Sequence, residues 1–159
     1  TSMKTIGLLG GMSWESSKTY YNILNQMTRQ HLGGYNSARL VLISLNFNDI
    51  EPKLRTWDWD SISAILVDAA RRCELAGAES ILICSNTIHH SFEAVEAAVD
   101  VPYFHITRVI GAALARDNRK TVGLLGTKYT MQSGYIANEL TSHSDITAIV
   151  PTTDEQETI

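Results

Sequence analysis

The sequence is poor in the features that mark secreted, membrane and nucleic-acid-binding proteins. Its 159 residues include only two cysteines, too few for a disulfide framework, so we expect a reducing, cytoplasmic location. The longest apolar run, residues 109–115, is far shorter than a bilayer requires, which predicts no membrane span. Lys and Arg number 13 against 17 Asp and Glu, and the resulting net charge of -4 argues against a nucleic-acid partner.

Motifs for nucleotides and metals are missing as well. The glycine-rich segments match neither the dinucleotide pattern G-x-G-x-x-G nor the P-loop. The five histidines lack the spacing to cysteines or carboxylates that zinc ligands show, so the sequence predicts no metal site. An apolar share of 44% and a charged share of 19% are typical of a globular protein with a real core.

The strongest positive signal is an internal repeat. The segment KTIGLLGG at 4–11 returns as KTVGLLGT at 120–127, with six of eight positions identical. Each copy is typical of a short buried strand that runs into a turn and a helix. The offset of 116 residues would carry a complete second copy past residue 159. We therefore interpret residues 3–116 as a first α/β half and 117–159 as the beginning of a truncated second half, with Thr1 and Ser2 set aside as an appended remnant.

Alternating extended and helical patterns predict an α/β protein with a doubly wound parallel sheet. The predicted strands are 4–10, 39–46, 80–85, 102–106 and 121–126. The predicted helices are 14–31, 60–76, 88–99, 107–116 and 130–142. Helix 60–76 shows one apolar stripe, with a cap at Asp60 or Ser61 and a stop at Gly77. We expect 48–58 to form a long irregular loop and leave the polar tail 152–158 without structure.

Glycine and polar residues follow three of the predicted strands, at the edge where doubly wound sheets bind ligands. The three segments are 10–13, 85–87 and 126–130. Glycine permits close approach of the backbone, and free N–H groups at helix starts hold anions such as carboxylates. A plain role of these glycines in turns and in helix–sheet packing stays open.

Residues 84–89, CSNTIH, bring a thiol, hydroxyls, an amide and an imidazole to the end of a buried strand. Cys84 and Ser85 point to opposite sides of a strand, so only one of them faces a given pocket. Structural roles also stay open: a buried hydrophobe for Cys84, helix caps for Asn86 and Thr87, and surface positions for His89 and His90.

Three motifs together resemble the aspartate/glutamate racemase family, close to its bacterial aspartate racemase branch. They are GLLGGMSWES at 7–16, SNTIH at 85–89 and LLGTKYTM at 124–131. The resemblance covers essentially the whole chain and implies two similar α/β halves with an active site between them. It also implies a racemase of acidic amino acids that needs no cofactor. Such enzymes use two cysteines on opposite faces of the substrate Cα, one removing the proton and the other delivering one.

The sequence departs from the family pattern at both catalytic positions. The first catalytic cysteine of the family immediately precedes Asn-Thr, and that position is Ser85 here, with Cys84 one residue earlier. We interpret Ser85 as the positional equivalent. It then acts as a weak donor, or a local shift brings Cys84 inward, or the serine is a replacement that traps substrate. The partner of Ser85, displaced by the repeat offset, falls near position 201, past Ile159.

The resemblance also implies a set of substrate-binding residues. Asn86 and Thr87 would hold the substrate carboxylate, together with Met12, Ser13 and Thr127. In the predicted loop, Arg55 could pair with a side-chain carboxylate through a bidentate contact. The implied ligand is a small acidic amino acid, and no metal ligand is implied.

Several functions remain open at this point. The leading interpretation is the interconversion of L- and D-aspartate, or of the glutamate enantiomers, by two-base proton transfer at Cα. The alternatives are a non-catalytic half-site that only binds acidic amino acids, a Cys–His hydrolase using Cys84 with His89 or His90, and another isomerase or a decarboxylase on the same fold. We expect a homodimer without nucleic-acid or membrane partners.

Overall fold

The computed structural model describes residues 3–159, and Thr1 and Ser2 lie outside the described residues. All strand pairs in the described part of the chain are parallel and helices connect the strands, which confirms the predicted α/β class. The chain divides into one compact unit that ends at Phe104 and a second that comprises His105–Ile159. Among the helices of residues 3–159, none combines the length and apolar character needed to cross a membrane.

A four-stranded parallel sheet forms the first unit. Its strands are β1 (Ile6–Gly10), β2 (Leu40–Ser44), β3 (Ser80–Ile83) and β4 (Tyr103–Phe104). Their spatial order is β2-β1-β3-β4. The chain thus leaves β1 toward one side, returns across it to β3, and continues on the other side. The order reverses between β1 and β3, and doubly wound sheets bind ligands beyond the carboxyl ends of strands at such a reversal.

Strand register brings the segments after β1, β2 and β3 to one edge of this sheet. Leu9 lies opposite both Ile83 and Ile43. Beyond the strands, the Cys84 N–H donates to the Leu9 carbonyl at 2.9 Å, and the Leu45 N–H donates to the Gly10 carbonyl at 2.9 Å. The residues that follow β1 therefore lie beside those that follow β3.

Four α-helices and two 3-10 helices complete the first unit. They are α1 (Trp14–Leu32), a 3-10 helix (Phe47–Asp49), α2 (Glu51–Arg55), α3 (Trp59–Leu75), a 3-10 helix (Thr87–Ser91) and α4 (Phe92–Glu96). The apolar stripe predicted for α3 is confirmed, because its central residues are buried. The N-cap prediction is wrong: the Asp58 carboxylate caps the helix by accepting from the Ser61 N–H at 3.1 Å.

The predicted loop at 48–58 is not irregular. It contains the end of a 3-10 helix and all of α2, and Ile50 and Leu54 in this stretch are buried. Pro52 lies in the first turn of α2, where its missing N–H removes no helical hydrogen bond. The predicted helix 88–99 is also shorter, since its first turn is the 3-10 helix and α4 ends at Glu96.

The second unit contains a two-stranded parallel sheet, β5 (Thr121–Gly123) and β6 (Thr147–Ile149). Its helices are α5 (Ile106–Arg116), α6 (Lys128–Gln132), α7 (Tyr135–Ser144) and α8 (Thr153–Gln156). Ile136, Leu140 and Ile146 form its buried core. The sequence analysis did not predict β6 or α8, and the helix predicted at 130–142 is interrupted between α6 and α7.

The contacts within the chain divide it between Phe104 and His105, while the halves inferred from the repeat, 3–116 and 117–159, stay a prediction. The predicted boundary at residues 116 and 117 assigned α5 to the first half. In the structure α5 packs closely against α7, and both belong to the second unit. Contacts of α5, rather than the position of the repeat, set the division between Phe104 and His105.

Candidate active site

A tight turn joins β1 to α1 and depends on two adjacent glycines. Gly11 has a φ of +89°, and a Cβ added to it would lie 2.0 Å from the Leu45 carbonyl oxygen. A Cβ on Gly10 would lie 2.3 Å from Ser17 Oγ. Only glycine therefore lets the segment after β2 and the first turn of α1 approach the end of β1 so closely.

Ser17 fixes this turn from within α1, and the sequence analysis overlooked it. The Gly11 N–H donates to the buried Ser17 Oγ at 2.8 Å, and the same hydroxyl donates to the Ser13 carbonyl at 3.4 Å. Ser13 is the N-cap residue of α1, but its own side chain makes no capping hydrogen bond. The Ser13 hydroxyl is thus not committed to its helix, whereas Met12 is buried.

Cys84 and Ser85, at the end of β3, differ in how far they are buried. Cys84 is fully buried, and desolvation raises the pKa of its thiol to about 12. It is therefore a neutral thiol at physiological pH and is a poor base or nucleophile. Ser85, the next residue, is half-buried. A Cys–His hydrolase needs a thiolate, so the alternative that uses Cys84 has no support in this geometry.

Tyr20 reaches the same region from α1. Burial, and next to it the charge that Cys84 would carry as a thiolate, raise the pKa of the Tyr20 phenol. Ser13, Ser17 and Tyr20 follow each other at helical spacing, so one face of α1 extends from the turn after β1 toward Cys84. Tyr20 was not predicted, because its position becomes informative only once the fold brings it near Cys84.

The segment after Ser85 presents an exposed amide. Asn86 is the N-cap residue of the 3-10 helix Thr87–Ser91, but its side chain makes no capping hydrogen bond and is exposed. The interpretation of Asn86 as a side-chain cap is therefore wrong. Thr87 begins the same helix and is half-buried.

The two histidines that follow are not ordinary surface residues. His89 is 1% exposed, and its Nδ1 lies 2.7 Å from the Ser85 carbonyl oxygen. Burial lowers the pKa of His89, while the backbone carbonyls of Ser85, Asn86 and Phe104 act in the opposite direction. His90 is half-buried, with its ring stacked on Trp59 at a centroid distance of 4.0 Å, and burial lowers its pKa too.

The other two predicted substrate-binding residues belong to helices outside these two segments. Arg55 is on α2, where its guanidinium forms an ion pair with Glu51 one turn earlier and its side chain is 71% exposed. Thr127 belongs to the second unit, where it is the N-cap residue of α6 and its Oγ1 lies 3.3 Å from Thr130 Oγ1. Within residues 3–159, no three His, Cys, Asp or Glu side chains group closely enough to hold a metal ion.

The first unit thus brings two predicted segments together. The segment with Met12 and Ser13 follows β1, the segment with Ser85, Asn86 and Thr87 follows β3, and these strands are neighbours at the reversal of the sheet. Hydroxyl and amide groups with backbone N–H donors meet at this edge. Such groups suit a small ligand that carries a carboxylate.

Comparison with known proteins agrees with this arrangement. Residues 9–159 match the family profile described as Asp/Glu/hydantoin racemase. The broad specificity amino-acid racemase RacX of Bacillus subtilis (strain 168) is 32% identical over 130 residues, which cover 80% of this chain and 56% of that protein. The chain therefore spans little more than half the length of this curated relative.

Solved structures show the same relationship. A candidate Asp/Glu racemase from Yersinia pestis is 39% identical, with a TM-score of 0.92, and the match covers 98% of this chain and 67% of that one. An aspartate racemase homologue from Pyrococcus horikoshii OT3 is 31% identical, with a TM-score of 0.85 over 98% of this chain and 68% of that one. The predicted resemblance is thereby confirmed, and the chain belongs to the Asp/Glu/hydantoin racemase family.

Proposed function

We propose that this protein racemises an acidic amino acid, aspartate or glutamate, by moving the Cα proton without a cofactor, and that Ser85 stands at one acid–base position. The observation that carries the proposal is the junction of two motifs: Ser13 after β1 and Ser85-Asn86-Thr87 after β3 meet at the reversal of the sheet. This is the place where the fold supports a small anionic ligand.

The chemistry assigns different roles to these groups. Ser13, Asn86 and Thr87 supply uncharged donors for the α-carboxylate, which keeps the substrate in one orientation. The second acid–base group takes the α-proton, whose electron pair stays on Cα and delocalises into the carboxylate, and Ser85 Oγ–H delivers a proton from the opposite face to complete the inversion. Ser85 Oγ–H lies at the position of one of the two proton-transfer groups.

A serine at that position makes the two proton-transfer steps unequal. A hydroxyl can deliver its proton to a carbanion, but it removes a proton poorly unless a neighbouring group activates it. The enantiomer from which the opposite group removes the proton, with Ser85 on the donating side, therefore exchanges its α-proton faster, while kcat/KM for net racemisation is equal in both directions because the enantiomers have the same free energy. Cys84, as a buried neutral thiol, is not the second group in this proposal.

The test compares three variants for racemisation of L- and D-aspartate and glutamate, followed by circular dichroism. Ser85→Ala should lower the rate about 100-fold, since a positioned acid–base group contributes roughly 10²–10⁴. Ser85→Cys should raise the rate of racemisation and make α-proton exchange from the two enantiomers more nearly equal, because a thiolate forms far more readily than an alkoxide. Cys84→Ala should retain the rate of the unsubstituted protein. Loss of activity in Cys84→Ala together with full activity in Ser85→Ala would overturn the assignment.

A non-catalytic binding site is the second candidate, and the serine at the cysteine position favours it. It predicts saturable binding of aspartate or glutamate by calorimetry with no racemisation in either direction, and binding that Ser85→Cys leaves unchanged. The substrate role of Thr127, the pairing of Arg55 with a substrate carboxylate, a homodimeric assembly and a cytoplasmic location stay predictions.

A further inference from the structure

His89 is a deeply buried titratable side chain beside the candidate site, and the proposed proton transfer does not use it. Its ring is 1% exposed and reaches back along the 3-10 helix Thr87–Ser91 to the residue that precedes Asn86. There Nδ1 lies 2.7 Å from the Ser85 carbonyl oxygen. The ring therefore contacts the carbonyl group of the peptide that joins Ser85 to Asn86.

The contact defines which ring nitrogen carries the proton. A carbonyl oxygen only accepts hydrogen bonds, so Nδ1 must be the donor. Burial lowers the pKa of His89, which keeps the ring neutral near pH 7. His89 is consequently a neutral imidazole with its proton on Nδ1, and it acts on Ser85 as a fixed hydrogen-bond donor.

The Ser85–Asn86 peptide lies where the sheet no longer holds the chain. The last inter-strand hydrogen bond from this segment is that of the Cys84 N–H to the Leu9 carbonyl, at 2.9 Å. Asn86, two residues after Cys84, starts the 3-10 helix: its carbonyl accepts from the His89 N–H at 3.2 Å. The His89 ring bridges this change from strand to helix through its hydrogen bond to the Ser85 carbonyl oxygen.

Helix α3 holds the opposite side of the 3-10 helix. The His90 ring stacks on Trp59 with an interplanar angle of 12°, and Ser91 Oγ lies 2.9 Å from Ser63 Oγ. These contacts fix residues 90 and 91 to α3, but neither reaches Ser85. The rotation of the Ser85–Asn86 peptide can therefore change with His89 while the helix stays in place.

We propose that His89 is a positioning residue: its Nδ1–H···O=C bond to Ser85 sets the rotation of the Ser85–Asn86 peptide and thereby aims Ser85 Oγ and the Asn86 amide at the ligand. The proposal rests on the proposed function for its catalytic consequence. The orientation itself is a property of the protein without ligand. A shift of about 1 Å in a reacting group can lower a rate about 100-fold.

The test uses two substitutions that differ in one hydrogen-bond donor. His89→Asn places an amide N–H near the position of Nδ1, whereas His89→Leu fills a similar volume without a donor. Nitrogen-15 spectra of the unsubstituted protein should show a neutral His89 with its proton on Nδ1. The carbonyl carbon-13 signal of Ser85 and the amide signal of Asn86 should move in His89→Leu and stay near their original positions in His89→Asn.

Kinetics then separate positioning from general loss of structure. His89→Leu should lower kcat by about 10- to 100-fold with KM changed less than about threefold, and His89→Asn should restore kcat to within about fivefold. If both variants lose kcat equally and in step with their urea midpoints, the role is only structural and the proposal is overturned. A proton on Nε2, or a Ser85 signal unmoved in His89→Leu, also overturns it.

Failure of the proposed function gives a different pattern. In that case the unsubstituted protein shows no racemisation, while the Nδ1 proton and the donor-dependent Ser85 signal are still observed. Those two signals support the positioning of the peptide independently of the reaction. Racemisation by the unsubstituted protein with unchanged kcat in His89→Leu overturns the positioning proposal alone.

Discussion

Replacement of Gly11 by alanine should be much more damaging than the same change at another glycine of the same backbone class. Gly11 has a φ of +89° and Gly77 a φ of +93°, so alanine is conformationally strained at both positions. A Cβ at Gly77 meets nothing within 4 Å, whereas a Cβ at Gly11 would lie 2.0 Å from the Leu45 carbonyl oxygen and 2.6 Å from the Leu45 nitrogen. Gly77→Ala is therefore a matched control that isolates the steric contact.

The expected loss in the free energy of unfolding follows from the surroundings of the two glycines. The positive φ destabilises the folded alanine variant by about 1–2 kcal/mol, and the lower entropy of its unfolded chain offsets about 0.4–1 kcal/mol of that. Gly77→Ala should therefore lower the free energy of unfolding by about 1 kcal/mol. At Gly11 the Leu45 peptide must also move by roughly 1 Å, an overpacking cost of about 1–3 kcal/mol. That movement stretches the 2.9 Å bond from the Leu45 N–H to the Gly10 carbonyl, worth about 1 kcal/mol. Gly11→Ala should thus lose about 3–5 kcal/mol.

Urea unfolding followed by circular dichroism measures the difference. With an m-value of about 2 kcal/mol per molar urea, Gly11→Ala should unfold at least about 1 M earlier than Gly77→Ala. Equal midpoints for the two variants would refute the reasoning, because they would show that the close approach of Leu45 to the β1–α1 turn does not exist.

Three further predictions concern the pH dependence of stability, the cysteines and the second unit. Burial lowers the pKa of His89 and His90 below the usual 6.5, so the unfolded state binds more protons than the folded state as the pH falls. The urea midpoint should therefore be level above about pH 7.5 and decrease from about pH 6.5 downward. A flat profile between about pH 7.5 and 5.5 would contradict this expectation. Cys73 and Cys84 are both buried with raised thiol pKa values, so neither should react with iodoacetamide at pH 8 until urea unfolds the chain, and rapid labelling of the native protein would show that Cys84 is accessible. In the second unit, the His105 Nδ1 accepts from the Thr107 N–H, so the Nε2–H donates to Tyr135 Oη at 2.6 Å. Tyr135→Phe should therefore lower the free energy of unfolding in urea by about 1–2 kcal/mol. A loss no larger than that of Tyr35→Phe, a control at an exposed tyrosine, would refute this bond.

The elements predicted correctly are those that carry their own local signal. Strands β1, β2 and β3 are short apolar runs bounded by polar or glycine residues, and α3 shows its buried stripe directly in the sequence. The three-residue strand β6 has no such signal, because its pairing with β5 is what makes it a strand. For α8 a signal existed and was overlooked: Thr152 and Glu155 form a reciprocal capping box at its start.

The misread loop shows how composition can mislead. Charged residues and Pro52 favoured an irregular segment, but proline is well tolerated in the first turn of a helix, and Ile50 and Leu54 gave the segment apolar groups to bury. Arg55 consequently lies on a helix beside Glu51 rather than in an irregular loop.

The candidate site was predictable as a set of segments but not as a set of contacts. The glycine pair and the SNTIH motif located the ends of β1 and β3. The roles of Ser17 and His89 depend on hydrogen bonds to Gly11 and to the Ser85 carbonyl, and those bonds exist only after the helices pack on the sheet. Burial distinguished Cys84 from Ser85, which alternation along a strand had left open.

Exchange of the α-proton tests the central claim most directly. Proton NMR of L- and D-aspartate and glutamate with this protein in heavy water follows the α-proton signal of each enantiomer. We expect loss of that signal for aspartate or glutamate, faster from one enantiomer than from the other because Ser85 donates a proton more readily than it accepts one. The loss should be suppressed in Ser85→Ala. A signal that persists for all four substrates while they bind saturably would contradict racemisation and leave a site that only holds acidic amino acids.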